Sequence, residues 1–207
     1  MYPLFEVPQS FVQHLEKRLN TFSHSLKKPQ KLAEAIRLLS NLFLKGVGTE
    51  DYWRNPNFRA AYISYFALLN FVRSRAIFME ARQTGFLNDL KSVVDWGCGA
   101  GSASWAMQSE WPSGVNFPDV TGIDQSAEAL EEYQAGMEFF SFKGRTQKMP
   151  VNKIDSTKAD AFIFSYILNE LENYPKIPSS AKKIIVIEPS THQAGRRMLE
   201  WRDEQLA

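Results

Sequence analysis

Cysteine is nearly absent from this chain of 207 residues, which holds only Cys98. One cysteine can form neither a disulfide within the chain nor an all-cysteine zinc or iron–sulfur site. The sequence also has no apolar run near the roughly 20 residues that cross a bilayer, and its first residues lack a basic stretch followed by an apolar one. These absences predict a cytoplasmic protein that neither spans a membrane nor is secreted.

The chain also has almost no net charge, because 24 Lys and Arg residues are balanced by 23 Asp and Glu residues. The balance is uneven along the chain: residues 1–90 hold 12 basic and 7 acidic residues, whereas residues 91–207 hold 12 and 16. A basic N-terminal region can present a positive face to a polyanion even in a neutral protein. A scatter of solvated charges is an equally open interpretation.

The composition, with 44% hydrophobic and 23% charged residues, is that of a globular protein with a real core. Apolar residues recur at helical spacing in three segments of the N-terminal region, residues 8–27, 29–46 and 58–81. The third segment is rich in aromatic residues, which could stack on bases, but this spacing is more typical of core. Residues 1–90 are therefore predicted to be an all-helical region, with His14 and His24 on outer helix faces.

From residue 92 onward, short β-branched or apolar runs alternate with helical patterns. This alternation predicts an α/β domain over residues 91–207, with a doubly wound, mostly parallel, Rossmann-like sheet in the strand order 3-2-1-4-5. Ser126 is positioned to cap the second helix of this domain. The predicted strands are residues 92–96, 120–124, a weak one within 141–149, 160–166 and 183–188, and the last helix covers residues 193–206.

Three glycines, Gly97, Gly99 and Gly101, follow the first strand directly and would let a ligand approach the backbone closely. Their spacing differs from the Gly-x-Gly-x-x-Gly pattern of dinucleotide sites, because Ser102 stands where the third glycine would be. Asp95 precedes the turn, and Asp124 ends the second strand, where a carboxylate can accept both hydroxyls of a ribose. A turn that merely tightens a strand–helix joint is the alternative.

Together these features resemble the S-adenosylmethionine site of class I methyltransferases. The resemblance implies S-adenosylmethionine as cofactor and S-adenosylhomocysteine as product. Many of these enzymes hold the adenine with an acidic residue after strand three, but no Asp or Glu lies between Phe139 and Ile154. Backbone groups or Gln147 would then contact the adenine. The cofactor-binding residues predicted are Asp95, Gly97, Cys98, Gly99, Gly101, Asp124, Gln125 and Ser165.

Further segments carry a narrower resemblance: residues 57–62 (NFRAAY), 102–106 (SASWA), 165–171 (SYILNEL), 187–191 (IEPST) and the arginines at 196, 197 and 202. This set is similar to the mitochondrial-type small-ribosomal-subunit methyltransferase-like family, which also has bacterial members. The match covers about residues 55–205. It implies association with small-subunit ribosomal RNA, either as a methyltransferase or as an assembly factor that keeps the methyltransferase fold.

Members of that family commonly continue into a cysteine-rich metal-binding segment and the last strands of the sheet, whereas this sequence ends 19 residues after Glu188. We therefore expect no metal site, a sheet without its final strands, and a fragment of a longer protein with little turnover by itself. Strand five would then be an exposed edge, open to self-association.

The catalytic candidates lie just after strand four, where the transferable methyl group faces in this fold. Asn169 could orient an exocyclic amine and Glu170 could take the released proton; capping of the next helix is the alternative for both. Cys98 lies within the cofactor turn, which disfavours a nucleophilic role. The predicted function is an S-adenosylmethionine-dependent methyltransferase acting on small-subunit ribosomal RNA. A weak or inactive assembly factor that binds the small subunit is the alternative, and a small-molecule methyltransferase is a weaker one.

Overall fold

The computed structural model describes residues 7, 9–45, 49–150, 157–171 and 173–206. The chain divides into two compact units, Met1–Arg73 and Ser74–Ala207, so that the division falls inside a helix. The predicted domain boundary between residues 90 and 91 stays a prediction. None of the described helices is both long enough and apolar enough to cross a membrane.

The first unit is helical, as predicted for the N-terminal region. Its first helix ends earlier than the pattern over residues 8–27 indicated. Ser23 takes a positive φ of 57°, and the N–H groups of Phe22 and His24 both donate to the carbonyl of Leu19, which closes the helix. Its elements are α1 (Gln9–Thr21), α2 (Pro29–Lys45), a 3₁₀ helix (Thr49–Arg54), α3 (Pro56–Ala61), a π turn (Tyr62–Phe66) and α4 (Ala67–Gln83), which continues into the second unit.

Aromatic side chains pack around the π turn. The ring centroid of Tyr62 lies 4.5 Å from that of Trp53 and 5.7 Å from that of Tyr52, and the rings of Phe43 and Phe66 lie 5.1 Å apart. Several of these rings pack against buried side chains of α2 and α3. The helical spacing therefore indicated core packing correctly.

His24 corrects one expectation from the sequence. Its side chain is buried, with 4% of its surface exposed, rather than placed on an outer helix face. Because α1 ends at Thr21, His24 lies in the following turn, which carries it inward. There its Nε2 atom lies 2.9 Å from Oδ1 of Asn57.

The second unit is an α/β domain whose five described strands pair in parallel in the order β3-β2-β1-β4-β5. This arrangement confirms the predicted Rossmann-like fold and its strand order. The register aligns Asp95 of β1 with Gly122 of β2 and Ile163 of β4, so the carboxyl ends of the central strands meet at one edge. Its elements are β1 (Ser92–Trp96), α5 (Ser102–Glu110), β2 (Asp119–Asp124), α6 (Ala127–Phe140), β3 (Gly144–Lys148), β4 (Ala161–Ser165), a 3₁₀ turn (Leu168–Glu170), β5 (Lys183–Ile187) and α7 (His192–Leu206).

Burial along the strands follows their composition. The central strands β1 and β4 are mostly apolar and almost wholly buried, as strands covered on both faces must be. The polar strand β3 is exposed and lies at one edge of the described sheet, and β5 lies at the other. Trp201 of α7 packs edge-on against Phe164, with 5.6 Å between ring centroids. Self-association through β5 stays a prediction.

Two helical glycines form a matched pair for testing the packing of this unit. A Cβ atom at Gly136 in α6 would overlap the Trp105 indole, whereas a Cβ atom at Gly195 in α7 would meet nothing within 4 Å. We expect Gly136→Ala to lower the free energy of unfolding by about 1–3 kcal/mol through overpacking, and Gly195→Ala to raise it by up to about 1 kcal/mol through helix propensity. Urea unfolding followed by circular dichroism measures both. An unchanged stability of Gly136→Ala would contradict this packing.

Candidate functional site

The glycine turn (residues 97–101) joins β1 to α5 at the carboxyl end of the sheet. All three of its glycines have positive φ angles, 67° at Gly97, 52° at Gly99 and 94° at Gly101. A Cβ atom at Gly97 would lie 2.5 Å from Cγ1 of Ile167, and one at Gly101 would lie 2.6 Å from the Tyr133 ring. The turn therefore requires glycine at these two positions for its own packing, whatever ligand it meets.

Asp124 ties the end of β2 to the glycine turn. One carboxylate oxygen accepts the N–H of Gly99 at 2.9 Å, and the other accepts the N–H of Ser126 at 2.9 Å. Burial raises the pKa of Asp124, although the N–H groups of Ser126, Gly99 and Gln125 counteract that shift. Gln125 thus contributes its backbone, while its side chain is exposed. The structure thus brings Asp124 and the glycine turn together, whereas their binding of a cofactor stays a prediction.

Asp95 lies beneath the turn with only 1% of its surface exposed. Its Oδ2 atom accepts a hydrogen bond of 2.7 Å from the Ser104 hydroxyl, which in turn accepts one of 2.7 Å from the Tyr133 hydroxyl. Its Oδ1 atom is buried and has no hydrogen-bond partner among the described residues. Burial raises the pKa of Asp95 to about 7, the hydrogen bonds from Ser104 lower it, and the charge of Asp124 adds to the rise.

The segment after β4 reaches the glycine turn through Ile167, whose side chain occupies the space where a Cβ atom of Gly97 would be. Ser165 is the last residue of β4, and Tyr166 follows it with a positive φ of 59°. A tyrosine in this left-handed conformation is uncommon, and such outliers often occur at functional sites. The backbone N–H of Tyr166 donates to the carbonyl of Ile187 on β5 at 2.8 Å.

Glu188, the residue after β5, caps the 3₁₀ turn. Its Oε1 atom accepts the N–H of Leu168 at 2.8 Å. Burial raises the pKa of Glu188 to about 6, and the backbone N–H groups of Leu168, Ile167 and Asn169 partly offset the shift. The capping role that the sequence left open for Asn169 and Glu170 therefore falls to Glu188.

Asn169 and Glu170 are exposed, and their side chains make no hydrogen bond with the described part of the chain. Partial desolvation by neighbouring protein atoms is the main reason that the pKa of Glu170 is raised to about 7, and the charges of Asp124 and Glu188 add to the shift. Glu170 is thus within electrostatic range of Asp124, whereas nothing comparable ties Asn169 to the other candidates.

Two further candidates have less distinctive surroundings. Cys98 is buried, and burial raises the pKa of its thiol well above the usual value, which disfavours a thiolate nucleophile. Gln147 is exposed on β3, beside Ile123 of β2. Contact between Gln147 and an adenine stays a prediction. No group of three or more His, Cys, Asp or Glu side chains that could hold a metal ion occurs within the described ranges.

Sequence reasoning missed three polar residues of this site: Ser104, Tyr133 and Glu188. Glu188 had a usable signal, because an acidic residue at the carboxyl end of a parallel strand faces the ligand edge of the sheet. Ser104 and Tyr133 had none, since both follow ordinary helical patterns. Only the fold shows that Tyr133 reaches Ser104 across 29 positions of sequence.

The chain matches no protein-family model and no curated protein. Several solved structures that it resembles are methyltransferases. A protein from Pyrococcus horikoshii, provisionally assigned as an RNA methyltransferase, is 14% identical over 84% of this chain and 82% of its own, with a TM-score of 0.47. The plantazolicin methyltransferase, in complex with S-adenosylhomocysteine, is 18% identical over 68% of this chain, with a TM-score of 0.45.

The Pyrococcus abyssi tRNA (uracil-54, C5)-methyltransferase, also in complex with S-adenosylhomocysteine, is 14% identical over 44% of this chain, with a TM-score of 0.34. This chain spans about half of the plantazolicin methyltransferase (53%) and about a fifth of the tRNA methyltransferase (21%). These likenesses concern the fold alone.

Proposed function

We propose that this chain is an S-adenosylmethionine-dependent methyltransferase acting on RNA of the small ribosomal subunit. The observation that carries the proposal is the Asp95 carboxyl group, which is buried beside the glycine turn and keeps Oδ1 without a partner among the described residues. A buried acceptor calls for a donor, and the ammonium group of the cofactor's methionine part is a fitting one. Titration calorimetry with S-adenosylmethionine and S-adenosylhomocysteine tests this first step, and absence of binding would refute it.

The other proposed cofactor contacts are made by residues at the same edge of the sheet. Asp124 has a lone pair left for a ribose hydroxyl, since its two oxygens together offer about four acceptor sites and accept the backbone N–H groups of Gly99, Ser126 and Gln125. The glycine turn, Gln125 and Ser165 line this edge, and Gln147 or backbone groups of β3 would contact the adenine. The residues proposed for these contacts are the ones predicted from the sequence.

The chemistry would take place beside the 3₁₀ turn after β4. S-adenosylmethionine, when bound, supplies a methyl group to a nucleophile and leaves as S-adenosylhomocysteine. Asn169 accepts a hydrogen bond from the attacking amine and so orients it. Glu170 takes the proton that the amine releases, and its raised pKa, about 7, suits a general base near neutral pH.

The RNA substrate is supported by the charge of the first unit and by the family resemblance of residues 55–205. Lys27, Lys28 and Lys31 lie at the α1–α2 junction and are all exposed. A cluster of exposed lysines is suited to phosphate groups, which attract it without reading sequence. This feature favours a polyanionic substrate over a small molecule, in a cytoplasmic protein.

Replacing Lys27, Lys28 and Lys31 together by glutamine is expected to flatten the salt dependence of RNA binding. Loss of two to three phosphate contacts should reduce the slope of log affinity against log salt by roughly two to three. Filter binding or fluorescence anisotropy with small-subunit RNA at several salt concentrations measures that slope. Lys143, Lys158 and Lys176, also exposed, form the charge-matched control. If both triple variants had equal salt-dependence slopes, Lys27, Lys28 and Lys31 would be solvated surface residues without a specific role in RNA binding.

A binding role without turnover is the second candidate. It is favoured by the lack of any hydrogen bond between the described residues and the side chains of Asn169 or Glu170, because catalytic groups are usually held in place by neighbours. Such an assembly factor would bind the small subunit and the cofactor but transfer no methyl group. A single-turnover assay with radiolabelled S-adenosylmethionine and small-subunit RNA separates the two candidates.

A further inference from the structure

A chain of three buried polar groups links α6 to the candidate cofactor site. Tyr133 and Ser104 are wholly buried, and Asp95 nearly so. The Tyr133 hydroxyl donates to Oγ of Ser104, and Ser104 donates to Oδ2 of Asp95, both at 2.7 Å. The direction is set because Ser104 has one hydroxyl proton, which it gives to the carboxylate while it accepts from the tyrosine.

The Tyr133 ring packs against backbone positions that have no room for a Cβ atom. A Cβ atom at Gly101 of the glycine turn would lie 2.6 Å from the ring, and one at Gly122 of β2 would lie 2.7 Å from it. The glycine turn and β2 therefore each have a glycine at the position that contacts the Tyr133 ring. Burying a tyrosine hydroxyl is costly unless it is hydrogen-bonded, and here its described bond leads through Ser104 to Asp95.

The charge on Asp95 is governed by the groups around this chain. Asp124 at the end of β2 disfavours a negative charge on Asp95, while the Ser104 hydroxyl and backbone N–H of α5 favour it. Cys98 of the turn and Tyr133 of α6 are the other titratable groups beside it, and burial raises the pKa of each, so both stay neutral near pH 7. Polarisation by Tyr133 strengthens the bond that Ser104 donates.

We propose that Tyr133 and Ser104 are positioning residues for cofactor binding, which hold Oδ2 of Asp95 so that Oδ1 faces the ligand and the carboxylate stays charged. This inference rests on the proposed function, because it assumes a cationic cofactor group at Oδ1. Neither residue need touch the cofactor. Their effect passes through the orientation and the proton affinity of Asp95.

The test is the pH dependence of S-adenosylmethionine affinity, measured by titration calorimetry from pH 6 to 9. In the unchanged chain, affinity should rise with pH through about 7, where Asp95 loses its proton. Ser104→Ala removes a donor to the Asp95 carboxylate, so the pKa of Asp95 should rise. The increase in affinity should then occur at higher pH, and binding at pH 7 should be about tenfold weaker than in the unchanged chain. Tyr133→Phe removes only the polarising hydroxyl and should shift the profile in the same direction by less.

Ser109→Ala is the matched control, since the hydrogen bond described for the Ser109 hydroxyl goes to the carbonyl of Ala106 within the same helix. Thermal unfolding of each variant without ligand shows whether it folds, and carbon NMR of the Asp95 carboxyl group reads its titration independently of the cofactor. Variants whose affinity falls equally at every pH, with an unchanged Asp95 titration, would overturn the positioning role alone. Absence of binding by the unchanged chain would overturn the proposed function and this inference with it.

Discussion

Glu170→Gln is expected to lower the single-turnover rate of methyl transfer to small-subunit RNA by about 10²–10⁴-fold, the usual loss when a general base is removed. The amide keeps the size of the side chain but cannot take a proton. With saturating S-adenosylmethionine, the unchanged chain should become faster as pH rises through about 7, because only the unprotonated carboxylate acts as a base. That pH dependence should disappear in the variant.

The control for this measurement is Glu138→Gln, which neutralises an exposed glutamate on α6. It should leave both the rate and its pH profile unchanged. Cofactor affinity is measured alongside, since Glu170→Gln should alter the rate far more than the binding. A Glu170→Gln chain that transfers methyl groups at the original rate would remove Glu170 from catalysis, and no transfer by either chain would favour the assembly-factor candidate.

Asp124→Ala is expected to weaken S-adenosylmethionine binding by at least tenfold. Hydrogen bonds to a charged group are worth roughly 1.5–3 kcal/mol each, and about 1.4 kcal/mol corresponds to a factor of ten. The substitution removes the acceptors for the ribose and also the bonds that hold Gly99 and Ser126 to the end of β2. Titration calorimetry measures the cofactor affinity. Thermal unfolding without ligand measures how much stability is lost with the bonds to Gly99 and Ser126.

Two further variants separate these contributions. Asp124→Asn keeps one acceptor oxygen and the shape of the side chain, so it should lose less affinity than the alanine variant. Asp119→Ala removes an exposed carboxylate from the opposite end of β2 and should bind the cofactor normally. If Asp124→Ala bound as tightly as Asp119→Ala, Asp124 would have no place in the cofactor site.

The sequence was sufficient for the strands and helices of the α/β unit and for the strand order in the sheet, but not for the helix boundaries of the first unit, where α1 ends at Thr21. The β-branched run of β1, the glycines after it and the Ser126 cap of α6 are local signals, and each is read from neighbouring residues. The strand order followed from general rules of parallel α/β folds applied to those elements. Asp95 and Asp124 could likewise be assigned to one edge, because parallel strands bring their carboxyl ends together.

Only the tertiary structure decided how these residues are paired. It showed that Tyr133 bonds to Ser104, that Glu188 caps the turn at Leu168 across 20 positions of sequence, and that His24 is buried against Asn57. Contacts of this kind depend on the distance between elements that lie far apart in the chain, which periodicity and capping patterns do not encode. The charge states at the site depend on burial for the same reason, so they follow from the packed fold and not from the order of the residues.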